Sequence, residues 1–366
     1  MGVASDAYNV QMAFEGTIMR IPTYASAYQV LLLQAADEGR GPILFGESLD
    51  RAREAVLPFL VGKRFPDVYL EHPLVGEPFV DVTVLLGEVE PGTRVASPLA
   101  GEHGAMLDWY VEARREQGNI NCGFEIDTKQ SEPPVAAVHF QPRVHREYVQ
   151  PFCDAIGEPE RAHLYLDLDR RMPSGWPLSF FGLFRGRGAA PLRVCGYLGR
   201  AETRACAKDP LHVAQAFDAI GFASYDSAML AQISALMAAA PGMVDFQFDV
   251  YPDGSLGSTF AIDVRFDIKQ PHIVRASFEN GPCARVMGLL EGWGAADERW
   301  RLGGQAAFAR AVPVELADGT LGRYAFTLMP QWVKARWTDC EMQPSKLYHL
   351  AYAKLVDGSA ARPCVP

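Results

Sequence analysis

The fold is decided by residues 244–269, VDFQFDVYPDGSLGSTFAIDVRFDIK. Apolar and polar side chains alternate along two runs, Val244–Tyr251 and Thr259–Lys269. A period of two is typical of a β-strand that buries one face and keeps the other polar. Pro252-Asp253-Gly254 between the runs is a typical turn sequence. The stretch therefore predicts an antiparallel hairpin with one apolar and one polar face.

The same change between helical and extended periods recurs along the chain. Helical periodicity predicts helices over Ser48–Leu60, Ala105–Arg115, Val144–Ile156, Leu211–Ile220, Ser227–Ala239 and Cys283–Trp293. Extended runs predict further strands within Asp67–Leu86, Cys122–Lys129, Val135–Gln141, His163–Asp169, Leu178–Arg185, Leu192–Leu198, Trp332–Trp337 and Lys346–Leu355, and on both sides of Asp318-Gly319. We interpret Pro173-Ser174-Gly175 as the turn that joins His163–Asp169 to Leu178–Arg185 in a hairpin. A helix followed by a hairpin, repeated about five times, indicates an α/β (α+β) protein.

Two architectures are compatible with this repeat. In the first, an open sheet is covered by helices on one face, and its polar face meets bulk water. In the second, the hairpins form a closed antiparallel ten-stranded barrel of αββα units with the helices outside and a polar lumen. Closure removes exposed sheet edges, which favours the barrel. We expect one domain over residues 1–366: an N-terminal extension (1–45), the repeated helix-hairpin barrel (46–356) and a C-terminal tail (357–366).

Composition excludes several classes of function. The formal net charge of −10 argues against binding to nucleic acid or to an anionic membrane. No segment approaches the roughly 20 apolar residues that a membrane span needs. The seven cysteines are scattered, which predicts a reducing cytoplasm, and Cys195 and Cys206 are expected to be inert. The eight histidines are not at metal-ligand spacing, so no metal site is predicted.

Three stretches place cations on single strand faces, and two of them add aromatic residues. They are Arg193 with Cys195 and Tyr197; Arg265 with Lys269, beside Asp263 and Asp267; and Trp332, Lys334 and Arg336, followed by Lys346 and Tyr348. Cations that face a lumen suit a multiply anionic ligand such as a diphosphate, and tyrosine rings can stabilise a carbocation. The alternative is that each stretch is an exposed strand with cross-strand ion pairs.

The repeated unit and two short motifs resemble the ABBA-type aromatic prenyltransferases, which include fungal indole enzymes and cyanobactin peptide enzymes. Lys346-Leu347-Tyr348 matches the Lys-x-Tyr strand pattern of that family. Arg193-Val194-Cys195-Gly196-Tyr197 matches it in part, with Cys195 in place of the lysine. In Pro78-Phe79-Val80-Asp81, Asp81 resembles the acidic residue that follows a Pro-hydrophobic pair in the family, although one extra residue intervenes here. A DDxxD metal-diphosphate motif is absent here, as in the family.

The resemblance implies an enzyme that moves an allylic group from an isoprenoid diphosphate to an aromatic small molecule or peptide inside the lumen. The residues implied in diphosphate binding are Arg193, Arg265, Lys269, Lys334, Arg336 and Lys346, and those implied in shielding the allyl cation are Tyr197, Tyr251 and Tyr348. Asp81 or Glu125 would accept the proton. Glu125 lies on the polar face of a predicted strand, and Phe124 and Ile126 lie on the opposite face. No resident cofactor is implied, and Mg²⁺ assistance to the diphosphate stays open. The alternatives are a non-catalytic protein that binds a peptide or small ligand, and another transferase that acts on a natural-product peptide.

Overall fold

The computed structural model describes residues 19–21, 41–49, 51–52, 67–86, 102–118, 120–128, 136–142, 144–184, 191–316 and 321–357. The strands are β1 Met19–Ile21, β2 Asp67–Pro73, β3 Asp81–Leu85, β4 Asn121–Ile126, β5 Ala137–Gln141, β6 Leu178–Leu183, β7 Leu192–Leu198, β8 Val244–Val250, β9 Leu256–Arg265, β10 Phe308–Leu316, β11 Leu321–Thr338 and β12 Glu341–Asp357. The helices are α1 Gly41–Phe45, α2 Glu102–Glu116, α3 Val149–Ala155, α4 Arg161–Arg171, α5 Arg200–Lys208, α6 Pro210–Ile220, α7 Ser227–Ala239, α8 Pro271–Asn280, α9 Pro282–Gly292 and α10 Trp300–Gln305. A 3₁₀ turn, Arg146–Tyr148, leads into α3.

Ten of these strands close into an antiparallel ring. The order runs β11-β12-β2-β3-β4-β5-β6-β7-β8-β9, and β9 pairs back onto β11. Closure depends on the length of β11, because its second half (332–338) pairs with β9 while its first half (321–328) pairs with β10. The strand β10 therefore lies outside the ring, where β1 extends the sheet in parallel. The prediction of a closed ten-stranded barrel is confirmed.

The hairpin β8–β9 shows how the sequence sets the two faces of the wall. Gly254 has φ +81° in the turn, and the Asp253 side chain accepts a hydrogen bond from the Ser255 backbone N–H at 2.9 Å. Phe248 and Phe260 are buried against the helix layer, where the Phe260 ring lies 4.8 Å from that of Phe217 in α6. The apolar core thus lies between barrel and helices, and the polar residues of the hairpin face the lumen.

The predicted strand His163–Asp169 is wrong, because these residues lie in helix α4. Leu164, Tyr165 and Leu168 are buried, which is the spacing of one helical face and not the alternation of a strand. Two arginines in the last turn favour the helix end electrostatically, and Pro173 follows it. The partners of β6 are β5 and β7, so the predicted hairpin around Pro173 does not form.

Other differences concern the ends and the number of elements. The strand β9 ends at Arg265, and Asp267 has φ +53°, so Lys269 does not share a strand face with Arg265 as predicted. The sequence does not predict strand β1 or helices α1, α5, α8 and α10. Most of the predicted helix Ser48–Leu60 lies outside the described residues, although 48–49 and 51–52 are helical. The remaining predicted elements within the described ranges are present with shifted ends. None of the helices described is both long and apolar enough to span a membrane.

Candidate active site in the barrel lumen

The lumen contains two adjoining compartments. The first, here called the cation end, is lined by four cations and three carboxylates: Arg193, Lys334, Arg336, Lys346, Glu71, Glu125 and Asp249. The second, here called the aromatic chamber, has a cavity volume of about 110 Å³ and is lined by rings that include Tyr69, Phe180, Trp332 and Tyr348. Glu125, Arg193, Gln247 and Lys334 line both compartments and form their boundary. A polar end thus meets a pocket whose lining is rich in aromatic rings.

Lys346 on β12 is held by two carboxylates from neighbouring strands. Its ammonium donates to Glu71 on β2 and, at 3.2 Å, to Asp81 Oδ2 on β3. Both carboxylates are buried, and the Thr128 backbone N–H donates to Asp81 Oδ1 at 3.0 Å. This cluster of Lys346, Glu71 and Asp81 is called the acid-clamped lysine below.

Burial and the ammonium act in opposite directions on the two carboxyl groups. Burial raises the pKa of Asp81 to about 7, and the Lys346 ammonium opposes this rise only in part. Burial also disfavours the charged form of Glu71, but there the Lys346 ammonium prevails and the pKa lies below its usual range. At neutral pH, Glu71 is therefore the charged partner of Lys346, while Asp81 holds a proton part of the time.

Lys334 on β11 has quite different surroundings. Its ammonium lies 5.0 Å from the centre of the Tyr348 ring, and within the described part of the chain it makes no hydrogen bond or ion pair. Tyr348 stacks on Trp332 at 5.0 Å between ring centres, and Trp332 lies 4.6 Å from Tyr69. A cation on a ring face at the boundary of the two compartments is available to an anionic ligand.

The two lumen arginines form ion pairs with neighbouring strands. Arg193 binds Asp249 with two contacts of 2.9 and 3.2 Å, and its guanidinium lies 4.5 Å from the centre of the Phe184 ring. Arg265 donates to Asp245 Oδ2 at 2.8 Å and lies 5.6 Å from the Trp332 ring centre. For these two arginines the structure matches the alternative of cross-strand ion pairs.

The two predicted proton acceptors lie in different places. Glu125 lines both compartments, and its Oε2 lies 3.1 Å from His139 Nε2, which also lines the aromatic chamber. Asp81 is only 2% exposed and is bonded to Lys346 within the wall. Geometry therefore brings Glu125, and not Asp81, to the point where a substrate would lie.

The remaining predicted residues divide between lumen and surface. Arg336 lines the cation end. Tyr197 is 45% exposed and lies at a wide mouth of the barrel beside the aromatic chamber. Tyr251 is 37% exposed in the β8–β9 turn, and Lys269 is exposed beyond the end of β9, so neither reaches the two compartments. Cys195 lines the aromatic chamber, where burial raises the pKa of its thiol well above the usual value, as expected for an inert cysteine.

Sequence reasoning missed lumen residues on strands that carry no cation–tyrosine motif. Tyr69 and Glu71 alternate with Val68 and Leu70 on β2, so the period of two already indicated a polar face there. His139 on β5 gives no comparable signal, because it becomes a neighbour of Glu125 only through the pairing of β4 with β5, in which Glu125 lies opposite Ala137. The alternation places Trp332 on the same strand face as Lys334 but indicates no role for it. In the structure its ring contacts make it part of the aromatic lining of the chamber.

No protein-family model and no curated protein matches the sequence. Solved structures do match over most of the chain. The 5-dimethylallyl tryptophan synthase from Streptomyces coelicolor, solved in complex with DMASPP and Trp, is 13% identical with a TM-score of 0.52, over 94% of this chain and 97% of that one. The 6-dimethylallyltryptophan synthase from Micromonospora olivasterospora, also in complex with DMASPP and Trp, is 14% identical with a TM-score of 0.51, over 89% of this chain and 96% of that one. The chain therefore has the closed αββα barrel fold of the ABBA-type aromatic prenyltransferases.

Proposed function

We propose that this protein is a prenyltransferase that moves an allylic group from an isoprenoid diphosphate to an aromatic acceptor inside the barrel. The observation that carries the proposal is the position of Lys334, a cation without an ion-pair partner among the described residues, between the cation end and the aromatic chamber. The fold supports it, because the two solved structures above are dimethylallyltryptophan synthases in complex with DMASPP and Trp.

The donor diphosphate would lie at the cation end. Lys334 and Arg336 project from alternate positions of β11, and Lys346 faces Lys334 across the β11–β12 ladder. Each charge-assisted hydrogen bond to a phosphate oxygen contributes roughly 1.5–3 kcal/mol. Since Arg193 and Lys346 already hold carboxylates, Lys334 would supply most of the net binding.

The transferred group would then lie against the rings of Tyr348, Trp332 and Tyr69. The bond between the allylic carbon and the diphosphate oxygen breaks, and its electron pair leaves with the diphosphate. The π-faces stabilise the allyl cation and exclude water from it. The acceptor ring donates an electron pair to form the new bond, and Glu125, positioned by His139, accepts the ring proton.

Mg²⁺ would have to arrive with the diphosphate. At the cation end, Glu71 and Asp249 are bonded to Lys346 and Arg193, and Glu125 to His139, so each carboxylate already has a hydrogen-bond partner. We therefore propose that Mg²⁺ neutralises the bound diphosphate without dedicated protein ligands, and that omission of Mg²⁺ weakens donor binding without abolishing it.

The test is to incubate the protein with dimethylallyl diphosphate and a panel of free aromatic compounds and aromatic peptides, and to measure the acceptor mass. We expect a gain of one dimethylallyl group on at least one acceptor. Thermal stabilisation by inorganic diphosphate should accompany it and disappear in Lys334→Met, with Lys269→Met, a surface lysine, as the matched control. The absence of both transfer and stabilisation would contradict the proposal.

The paired cations favour one alternative function, a non-catalytic protein that binds a peptide or a small ligand. Arg193, Arg265 and Lys346 are all neutralised by carboxylates, which lowers the affinity of the lumen for a diphosphate. This alternative predicts that aromatic ligands stabilise the fold while no acceptor ever gains mass. It also predicts that Lys334→Met leaves that stabilisation unchanged.

A further inference from the structure

Outside the lumen, the fold brings three potential metal ligands together. Glu202 and Cys206 lie on α5, and His212 lies in the first turn of α6. One carboxylate oxygen, the thiolate sulfur and one imidazole nitrogen all lie within 4.8 Å of one another. The His212 Nε2 atom is 2.8 Å from Glu202 Oε1. Such a mixed set of oxygen, sulfur and nitrogen donors is typical of zinc sites.

Local structure explains why these three side chains converge. Glu202 and Cys206 are four residues apart, so both project from the same face of α5. The chain then turns at once into α6, where Asp209 is the N-cap and accepts a hydrogen bond from the Leu211 backbone N–H at 2.9 Å. This cap fixes the first turn of α6 and directs His212 back towards α5. The spacing Glu-x₃-Cys-x₅-His is the sequence signal, and it has meaning only once the two helices are known.

A fourth residue orients the carboxylate from the turn before β6. Trp176 is buried, and its indole Nε1–H donates to Glu202 Oε1 at 2.8 Å. Hydrogen bonds of this kind from outside the ligand set hold metal ligands in place. The Glu202 and His212 side chains remain 22% and 38% exposed, so water can reach the fourth position of a tetrahedral ion.

We propose that Glu202, Cys206 and His212 bind a zinc ion that joins α5 and α6 and, through Trp176, anchors the turn that leads into β6. The Cys206 thiol loses its proton to solvent and its sulfur binds the ion. Glu202 and His212 give up their mutual hydrogen bond, and each binds the ion through its own atom. Without metal, burial and the Glu202 charge raise the pKa of the Cys206 thiol to about 12. A bound cation reverses that balance, because a coordinated thiol is deprotonated.

The experiment is a titration of the full chain, freed of metal by a chelator, with Co²⁺ and then Zn²⁺. We expect one Co²⁺ per chain with a thiolate-to-cobalt charge-transfer absorption, loss of that absorption when Zn²⁺ displaces Co²⁺, and release of one proton from the thiol. Zinc should also raise the unfolding temperature, since an ion that binds the native state alone stabilises it. A wild-type protein that shows neither the absorption nor the thermal shift would overturn the proposal, whatever its prenyl-transfer activity.

Variants locate the ion. Cys206→Ser should abolish the charge-transfer absorption, and His212→Gln, at a half-exposed position that disturbs packing little, should weaken Co²⁺ binding at least tenfold. Cys283→Ser is the matched control, because Cys283 is equally buried in helix α9 and belongs to no such group of ligands among the described residues. An absorption retained in Cys206→Ser but lost in Cys283→Ser would place the metal elsewhere and contradict the proposal.

Discussion

Lys334 and Lys346 are direct partners in the β11–β12 ladder, yet their surroundings are opposite. The ammonium of Lys346 is held by Glu71 and Asp81, while that of Lys334 lies on the ring of Tyr348. The difference arises from their other neighbours, because Lys346 is bonded to Glu71 and Asp81 on β2 and β3, whereas the partner of Lys334 on β9 is Asp263, whose carboxylate accepts its hydrogen bond from Gln247. A lysine in a strand motif is therefore not necessarily the lysine that binds a ligand. The acid-clamped lysine stabilises the wall, and Lys334 is free to act on what enters the lumen.

The largest effect should follow from Lys346→Met. This change leaves the buried carboxylates of Glu71 and Asp81 without their cation, and removing one partner of a buried ion pair typically costs about 3–5 kcal/mol. We expect a loss of this size in the free energy of unfolding, measured by urea denaturation. Lys334→Met should cost less in the same measurement, because among the described residues no carboxylate is bonded to its ammonium.

A triple variant distinguishes lost charge balance from lost packing. In Lys346→Met combined with Glu71→Gln and Asp81→Asn, no uncompensated carboxylate remains, so most of the stability should return. If the triple variant is as unstable as Lys346→Met, the contrast between the two lysines does not arise from the carboxylates.

The pH dependence of stability should reveal the raised pKa of Asp81. With a pKa of about 7 in the folded protein and about 4 in the unfolded chain, Asp81 binds a proton between these values in the folded state alone. Its contribution to stability is complete below pH 4 and is lost as the pH rises through 7, with a slope of at most about 1.4 kcal/mol per pH unit. The difference in unfolding free energy between wild type and Asp81→Asn should therefore decrease over this window.

The comparison with Asp81→Asn is needed because two other buried groups titrate in the opposite sense. Burial lowers the pKa of His349 to about 4 and that of His72 well below its usual value. The stability that these two neutral histidines give the folded protein is therefore lost as the pH falls below about 6.5. They are common to both proteins, and their effect cancels in the difference. A difference that does not change with pH would show that Asp81 is ionised throughout, as in an ordinary salt bridge.

The alternation of residues predicted the barrel wall well, because each strand has one face on the core and one in the lumen. It failed at 163–169, where three leucines two residues apart imitate a strand, although burial follows the helical face of Leu164, Tyr165 and Leu168. Only the contacts with the rest of the fold distinguish these cases. The closure through β11 was likewise favoured by the cost of sheet edges but not derivable from any one stretch.

For the site, five of the six predicted cations (Arg193, Arg265, Lys334, Arg336 and Lys346) line the lumen, but the sequence does not show which of them have partners. Arg193 and Asp249 are 56 residues apart, and Lys346 and Glu71 are 275 apart, so no local pattern contains these pairs. Tyr251 and Lys269 were assigned to the lumen because alternation was extended beyond the true ends of β8 and β9. Strand ends are where periodicity carries the least information, and both errors lie there.

The next effect in size concerns the affinity for the donor diphosphate, which we expect to depend on Lys334. Lys334→Met should reduce donor affinity about 10- to 100-fold, the equivalent of one charge-assisted hydrogen bond of roughly 1.5–3 kcal/mol, while the fold is retained. The measurement is calorimetric titration with inorganic diphosphate, with circular dichroism as the check on folding. Lys269→Met should bind diphosphate as the wild type does, and an equal loss in that variant would indicate general charge effects and not a site.

The smallest effect distinguishes the ring of Tyr348 from its hydroxyl. If the ring stabilises the allyl cation, Tyr348→Leu should lower kcat about tenfold, close to 1.4 kcal/mol, and Tyr348→Phe should stay within about threefold of wild type. The KM for the donor should change little in Tyr348→Phe, because the ring that Lys334 contacts is retained. Equal losses of kcat in both variants would assign the effect to the Tyr348 hydroxyl, which lies near Glu71. The reacting carbon would then lie nearer to the acid-clamped lysine than to Lys334.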